Sequence, residues 1–323
     1  MDDYPLIENH GLIGDLQTAA LVTTDGSVDW FCVPRFDSPS VFGALLDKDR
    51  GGHCTIRPRH RAYATKQLYL PDTAILVTRF MTEAGTGEVI DFMPVTGTSV
   101  TGSHRLVHMV RCVRGRMMFD VEVEPRFDYG RKSHRLHLSE HGAVFVAEDG
   151  TELTVHPVRE PDDERLLDLL TDRRDALPFT PTLEAGQERG LVLERSAEGP
   201  PREMRLAEYS RLFDETVAFW RSWLHQSRYT GRWRETVERS AITLKLMTYA
   251  PTGAVVAAHR RPRSRSNWGA SATGTTASPG SATPRSRCTP CSGWASPTRP
   301  GRSSSGSQTG SENTRARTVT PVR

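Results

Sequence analysis

Residues 19–33 read AALVTTDGSVDWFCV. Two apolar runs, 19–24 and 28–33, flank Asp25-Gly26. A DG pair between apolar runs accommodates the left-handed backbone of a tight turn, so the stretch predicts a β-hairpin. The same pattern spreads along the chain. Runs at 73–81 and 88–93 are split by Gly85 and Gly87, and runs at 105–113 and 117–124 by Gly115. In the last of these Met117, Phe119, Val121 and Val123 alternate with Met118, Asp120, Glu122 and Glu124. Alternation of period two puts one face in a core and the other in water. Runs at 135–139, 143–147, 152–156 and 190–195 continue it. Many short strands at regular spacing predict a mainly β chain built as an antiparallel β-sandwich over 1–200.

The period then changes. From 203 to 224 the apolar residues Leu206, Tyr209, Leu212, Phe213, Val217, Trp220, Trp223 and Leu224 fall at helical spacing. A second helix is predicted from about 233 to 249, with Val237, Ala241, Leu244 and Met247 as its stripe. Gly231 separates the two, and Pro251-Thr252-Gly253 ends the second. Residues 201–258 are thus a helical segment too short to make a core of its own.

Composition breaks after Ala258. The whole chain has 42 basic and 39 acidic residues, but 11 of the basic ones and a single acid, Glu312, lie in 259–323. The charges are therefore 31 against 38 before the break, net −7, and 11 against 1 after it, net +10. The last 65 residues hold 13 Ser, 10 Thr, 7 Pro and 7 Gly, and no Leu, Ile, Phe, Met or Tyr. So little apolar surface cannot offset chain entropy, and 259–323 is expected to be a disordered tail. Only four lysines occur, so nearly all basic charge is Arg, as GC-rich coding sequence produces. No run of 18 apolar residues occurs, and the start, MDDYPLIENHG, lacks a basic, apolar leader. Five cysteines do not make a disulfide framework, and a reduced, cytoplasmic chain is expected.

Four stretches are specific: IENHGLIGDLQTAALV (7–22), GSVDWFCVPRFDSPSVFGALLD (26–47), PRFDYGR (125–131) and RWRETVERSAITLKLMTYAPTGAVVAA (232–258). Together they resemble the N-terminal part of bacterial glycoside hydrolase family 15 proteins of the trehalase-like and glucoamylase-like kind, over about residues 4–258. The resemblance implies a supersandwich-like N-terminal domain, a linker helix and the opening of an (α/α)6 barrel. It also implies hydrolysis of an α-glucosidic bond, in trehalose or a maltooligosaccharide, with inversion and without an organic cofactor. In such proteins both catalytic glutamates lie in the barrel, beyond residue 258, so no catalytic residue is expected in this chain.

The resemblance stops where the composition breaks. There the family carries a stretch like NWDYRFAWLRDA. Residues 273–284 here read TGTTASPGSATP. If the first two bases of each of those codons become the last two of a shifted frame, the text can read NWDYRFAWLRDA. The shifted reading extends over 267–299. A frameshift near codon 259 is therefore expected, leaving a truncated, inactive member of the family.

Candidate contact residues lie in the folded part. Trp30, Arg35 and Asp37 form the densest mix of aromatic and charged side chains, in a loop able to reach a neighbouring sugar site. Sugars stack on aromatic rings, and Arg and Asp bond their hydroxyls. Read structurally, the same loop is an interface turn, with Asp37-Ser38-Pro39-Ser40 as turn and cap. Asp29, Asp37, Asp91 and Asp128 are carboxylates of the type acid–base chemistry uses, although nothing pairs them in sequence. Asp128-Tyr129-Gly130-Arg131 reads as a structural turn. His10, His53, His104, His108, His134, His137 and His156 show no metal-ligand spacing, and no metal is expected. The CxxC at Cys288–Cys291 has no second pair, and Gly51-Gly52 has no GK[ST] after it.

Other classes of function fit parts of the chain. The β domain can stand alone as a carbohydrate-binding or interaction module. The Arg-rich tail, with Trp268 and Trp294, has the make-up of a non-specific nucleic-acid binder. The shifted-frame reading argues against a selected basic tail, so no specific nucleic-acid partner and no membrane is expected. Helix faces left without a barrel are expected to leave Trp220, Trp223, Trp233, Leu244 and Leu246 partly exposed and to favour self-association.

Overall fold

The computed structural model describes residues 4–95, 102–163, 175–195 and 199–257. All lie in the first of the two units into which the chain divides, Met1–Ser278 and Pro279–Arg323. The expected disordered tail, its CxxC and its arginines lie outside the described residues.

The predicted hairpin forms, as β2 (Ala19–Thr23) and β3 (Ser27–Cys32), behind β1 (His10–Gly14). Gly26 turns with φ +82°, and a Cβ there would stand 2.3 Å from the Ile56 carbonyl oxygen, so both the turn and the next strand need glycine. Chain order then gives β4 (Ser40–Phe42), β5 (His53–Pro58), β6 (Ala64–Tyr69), β7 (Leu76–Met81) and β8 (Gly85–Phe92). The 21-residue β9 (His104–Glu124) follows, then β10 (His134–Ser139), β11 (Gly142–Ala147) and β12 (Glu152–Val158). The last large-sheet strands are β13 (Leu177–Phe179), β14 (Thr182–Glu184) and β15 (Glu188–Arg195). All fifteen join one sheet network through antiparallel ladders.

β9 organises the network. Its C-terminal part, residues 119–124, pairs with β5, which continues to β3, β2 and β1. Its N-terminal part lies between β8 and β15. From there β7 and β6 extend one way, and β12, β11 and β10 the other. The two arms face each other across a shared core: Ile13, Val22, Phe31 and Ile56 from the first, Leu76, Phe80, Phe145 and Leu193 from the second. The second arm is apolar on both faces. Leu106 and Val110 of β9 point to the shared core, whereas Val107 and Met109 point away into a second cluster.

The helices cover that second face. α1 (Leu206–Leu224) buries Tyr209, Leu212, Thr216, Trp220 and Leu224, a stripe of three- and four-residue steps. Its first turns meet Phe92, Val107 and Val192. Its last turns, with α2 (Arg234–Leu246), enclose Leu16, Ala74 and Val95. A short ribbon, β16 (Thr248–Tyr249) and β17 (Ala254–Val255), follows.

Three expectations need correcting. Gly115 does not split 105–113 from 117–124. It has φ +79°, yet Gly85 pairs with it and Met117 continues onto Leu183, so the strand runs through. The buried stripe of the second helix lies on a different face from the expected one. Glu238, Ile242 and Leu246 are buried, whereas Leu244 is 59% exposed. Finally, of the aromatic and aliphatic residues expected at a bare helix face, Trp220 and Leu246 are buried, because α2 closes on α1. Trp233, 62% exposed, and Leu244 remain outside.

Candidate functional site

The loop after β3 holds the residues singled out by composition. Its turn is closed by Ser38 N–H donating to the Arg35 carbonyl at 3.1 Å and Arg35 N–H donating to Ser38 Oγ at 3.1 Å. Phe36 N–H reaches back to the Gln17 carbonyl at 3.2 Å. The Arg35 guanidinium is bidentate to Asp37, with Nε to Oδ1 at 2.9 Å and Nη2 to Oδ2 at 2.6 Å. That carboxylate pushes the Arg35 pKa up. Both side chains are exposed. Arg35 and Phe36 also lie against Tyr249 of the ribbon, at 6.0 and 6.2 Å to its ring centre. The loop therefore borders the place where the described chain ends. Trp30 does not join them. It is 2% exposed, tilted against Tyr129 with ring centres 6.2 Å apart.

The four carboxylates read as acid–base candidates each have a basic partner. His10 Nε2 meets Asp29 Oδ2 at 2.8 Å. Burial pushes the Asp29 carboxyl up, and the bond to Asp29 pushes His10 up. Asp91 faces His108 across β8 and β9, both fully buried. Asp37 is held by Arg35, and Asp128 by Arg131 Nη2 at 2.7 Å. Such pairs fix strands and turns.

Sequence reasoning missed the histidine partners. His104 Nδ1 meets Asp15 Oδ2 at 2.7 Å, and Asp15 Oδ1 also accepts the N–H groups of Gln17 and Thr18 at 2.9 and 2.8 Å. His156 lies 3.5 Å from Glu194 and His53 3.4 Å from Glu122. These partners are tens of residues apart and meet only through strand register. His53, Glu122 and Glu124 bring ligand atoms within 4.8 Å of one another, a cation-sized cluster. Arg126 already neutralises Glu124 and also binds Asp175 at 2.9 Å.

A small cleft opens between the two arms, walled by Val33, Ser40 and Val41 on one side and by Lys132, Asp149 and Arg195 on the other.

A family model described as "Trehalase-like, N-terminal" matches residues 2–157. The chain carries a trehalase-like N-terminal region. Trehalases of Mycobacterium tuberculosis and Mycolicibacterium smegmatis are 32% and 31% identical to it, each over 82% of this chain. A trehalase of Thermoplasma volcanium is 29% identical over 80% of it. The chain spans about two-fifths of the length of these relatives, 41%, 42% and 40%. The crystal structure of a bacterial glucoamylase complexed with acarbose aligns with a TM-score of 0.51 at 10% identity. That alignment covers 73% of this chain and 40% of the glucoamylase. The trehalase-like region thus has the sequence kinship and the β-rich fold that the family 15 resemblance implied. Among the described residues no helix is long and apolar enough to cross a membrane.

Proposed function

We propose that this chain is the β-sandwich and linker-helix portion of an inverting α-glucosidase acting on trehalose or a maltooligosaccharide, without the catalytic glutamates. The observation that carries the reading is the kinship to trehalases over 82% of the chain but only 41% of the relative. The site geometry supports it. Inverting glycosidases need two carboxyl groups roughly 6.5–9.5 Å apart around a sugar. Asp29, Asp37, Asp91 and Asp128 are instead each engaged with a His or an Arg. The cytoplasm is the compartment we assign, in keeping with the buried free thiols of Cys32, Cys54 and Cys112.

The same proposal includes a shift of reading frame near codon 259 and a substrate-contact role for Arg35 and Asp37, from which Trp30, buried against Tyr129, is left out. The contact of Arg35 with Tyr249 of the ribbon supports that role, because it ties the loop to the helical segment that leads out of the β domain. Resequencing from codon 250 past codon 323 tests the frame. A single-base repair that opens a long frame through NWDYRFAWLRDA is the expected result, and no continuing frame would sink it. The activity test is glucose release. The chain as it stands should release none from trehalose or maltose, whereas the frame-repaired protein should. In the repaired protein Arg35→Ala and Asp37→Ala should raise KM more than they lower kcat. An unchanged KM would remove both residues from the site.

A further inference from the structure

The cleft between the arms has a feature that the proposed glucosidase reading does not use. Arg195 ends β15, opposite His104 of β9 and Leu153 of β12. By strand alternation it shares the face of Leu193 and Leu191 and so enters the mouth of the sandwich. Its Nε is buried and has no hydrogen-bond partner among the described residues. Burial pushes the guanidinium pKa down, and Asp149 opposes this only through space.

Other charges at the cleft are already spent. Asp149 Oδ2 accepts from Lys132 Nζ at 2.6 Å, which holds that carboxyl down at about 2. Asp128 is bound by Arg131 at 2.7 Å. Arg195 is left as the one cation of this group without a counter-charge. The opposite wall offers the Ser40 hydroxyl, which accepts the Tyr129 N–H at 3.2 Å and keeps its own proton to donate. The rim carries backbone strain. Asp128 and Tyr129 have φ of 52° and 61°, and Gly130 follows at 72°. Two consecutive non-glycine residues in the left-handed region persist only where the surroundings impose them, and such strain clusters at binding sites. The cleft is small, about 40 Å³ in volume, with Val33, Val41 and Phe127 as apolar lining, so only a short ligand can enter it.

We propose that this cleft binds a small monocarboxylate with a short aliphatic body, its carboxylate on Arg195 and Ser40 and its body against Val33 and Val41. A planar carboxylate matches a guanidinium fork with two parallel hydrogen bonds. One free positive charge calls for one negative charge. Asp128 and Asp149 at the rim disfavour a dianion such as phosphate. The lining includes neither Arg35 nor Asp37, so the proposal is tested separately from the proposed function.

The test is calorimetric titration of the full chain with sodium propionate at constant ionic strength and pH 7, beside sodium phosphate and glucose. Saturable propionate binding is expected, tighter than either control. Arg195→Met should weaken it roughly ten- to hundredfold, the worth of a hydrogen bond to a charged group. Lys132→Gln should also weaken it, because the freed Asp149 can then pair with Arg195. Thermal melts separate binding from structure. Propionate should raise the wild-type Tm and leave that of Arg195→Met unmoved, while the ligand-free Arg195→Met protein melts no lower than wild type. A lower melt or failure to fold would mean that Arg195 already has structural partners, and the proposal falls. It falls equally if propionate does not saturate, if either variant keeps full affinity, or if phosphate or glucose binds more tightly.

Discussion

Glu88 sits in the middle of β8 with a guanidinium on either side. Arg79 of β7 and Arg111 of β9 lie directly opposite it in the two ladders. Arg79 Nε donates to Oε1 at 2.7 Å and Arg111 Nε to Oε2 at 2.8 Å. Burial alone would push the Glu88 carboxyl up, but the two arginines outweigh it and the pKa is lowered. Removing the charge leaves two partly exposed guanidiniums that water can solvate, so the loss is moderate. We expect Glu88→Gln to cost about 1–2 kcal/mol in urea denaturation. A change under about 0.5 kcal/mol, the usual range for surface substitutions, would show that the triad contributes little. The three residues were visible in the sequence as charges, but not as partners. They are 9 and 23 positions apart and meet only when three strands align.

At the scale of elements, α2 shows where pattern reading slips. The stripe Val237, Ala241, Leu244 and the stripe Glu238, Ile242, Leu246 both repeat at helical spacing, but on different faces of the helix. What selects the second is docking. Arg239 lies with its guanidinium carbon 3.9 Å from the centre of the Tyr69 ring and donates to the Thr73 carbonyl at 2.8 Å. That anchor turns Ile242 and Leu246 inward onto Trp220 and Leu224. Ile242→Ala and Leu246→Ala should therefore destabilise by about 2–5 kcal/mol. Leu244→Ser and Trp233→Ser should leave Tm nearly unchanged and reduce self-association in sedimentation velocity. If the two serine variants sediment as wild type does, the outer face of α2 is not a contact surface. The hairpin shows the opposite case. Its turn chemistry is local, so Asp25-Gly26 revealed it before any tertiary contact was known.

For the whole molecule, stability should be bounded on both sides of pH. Glu88 and Glu194 are both lowered below their ordinary value of 4.5, in each case because two basic partners outweigh burial. A carboxyl lowered in the folded state stabilises above its unfolded pKa, and that stability is lost as pH falls through the folded one. His10 is raised above 6.5 by Asp29. Its contribution is complete below 6.5 and is lost as pH rises through the folded value. Asp29, raised above 3.8 by burial, keeps its proton longer when folded, so its contribution falls as pH rises from 3.8 through its folded value and opposes the acid limb. Tm measured from pH 3 to 9 should rise from the acid limb, reach a maximum and decline beyond about pH 6.5. Glu88→Gln should flatten the acid limb, and His10→Gln the upper one. A profile of unchanged slope in both variants would assign the pH dependence to other groups.

The sequence by itself determined the class of the molecule. Alternation, turn residues and helical spacing are local signals, because they arise from backbone geometry and nearest neighbours. They carried the β-rich body, the hairpin at Gly26 and the two helices after residue 200. Residue-by-residue likeness carried the kinship to trehalases. The tertiary structure alone decided that β9 runs unbroken past Gly115, because only ladders on both sides can hold a left-handed glycine within a strand. It decided the inward stripe of α2, the burial of Trp30 away from Arg35 and Asp37, and the histidine–carboxylate pairs. Each depends on residues distant in the chain sharing one desolvated place, where an unpaired charge is costly and a partner must be found.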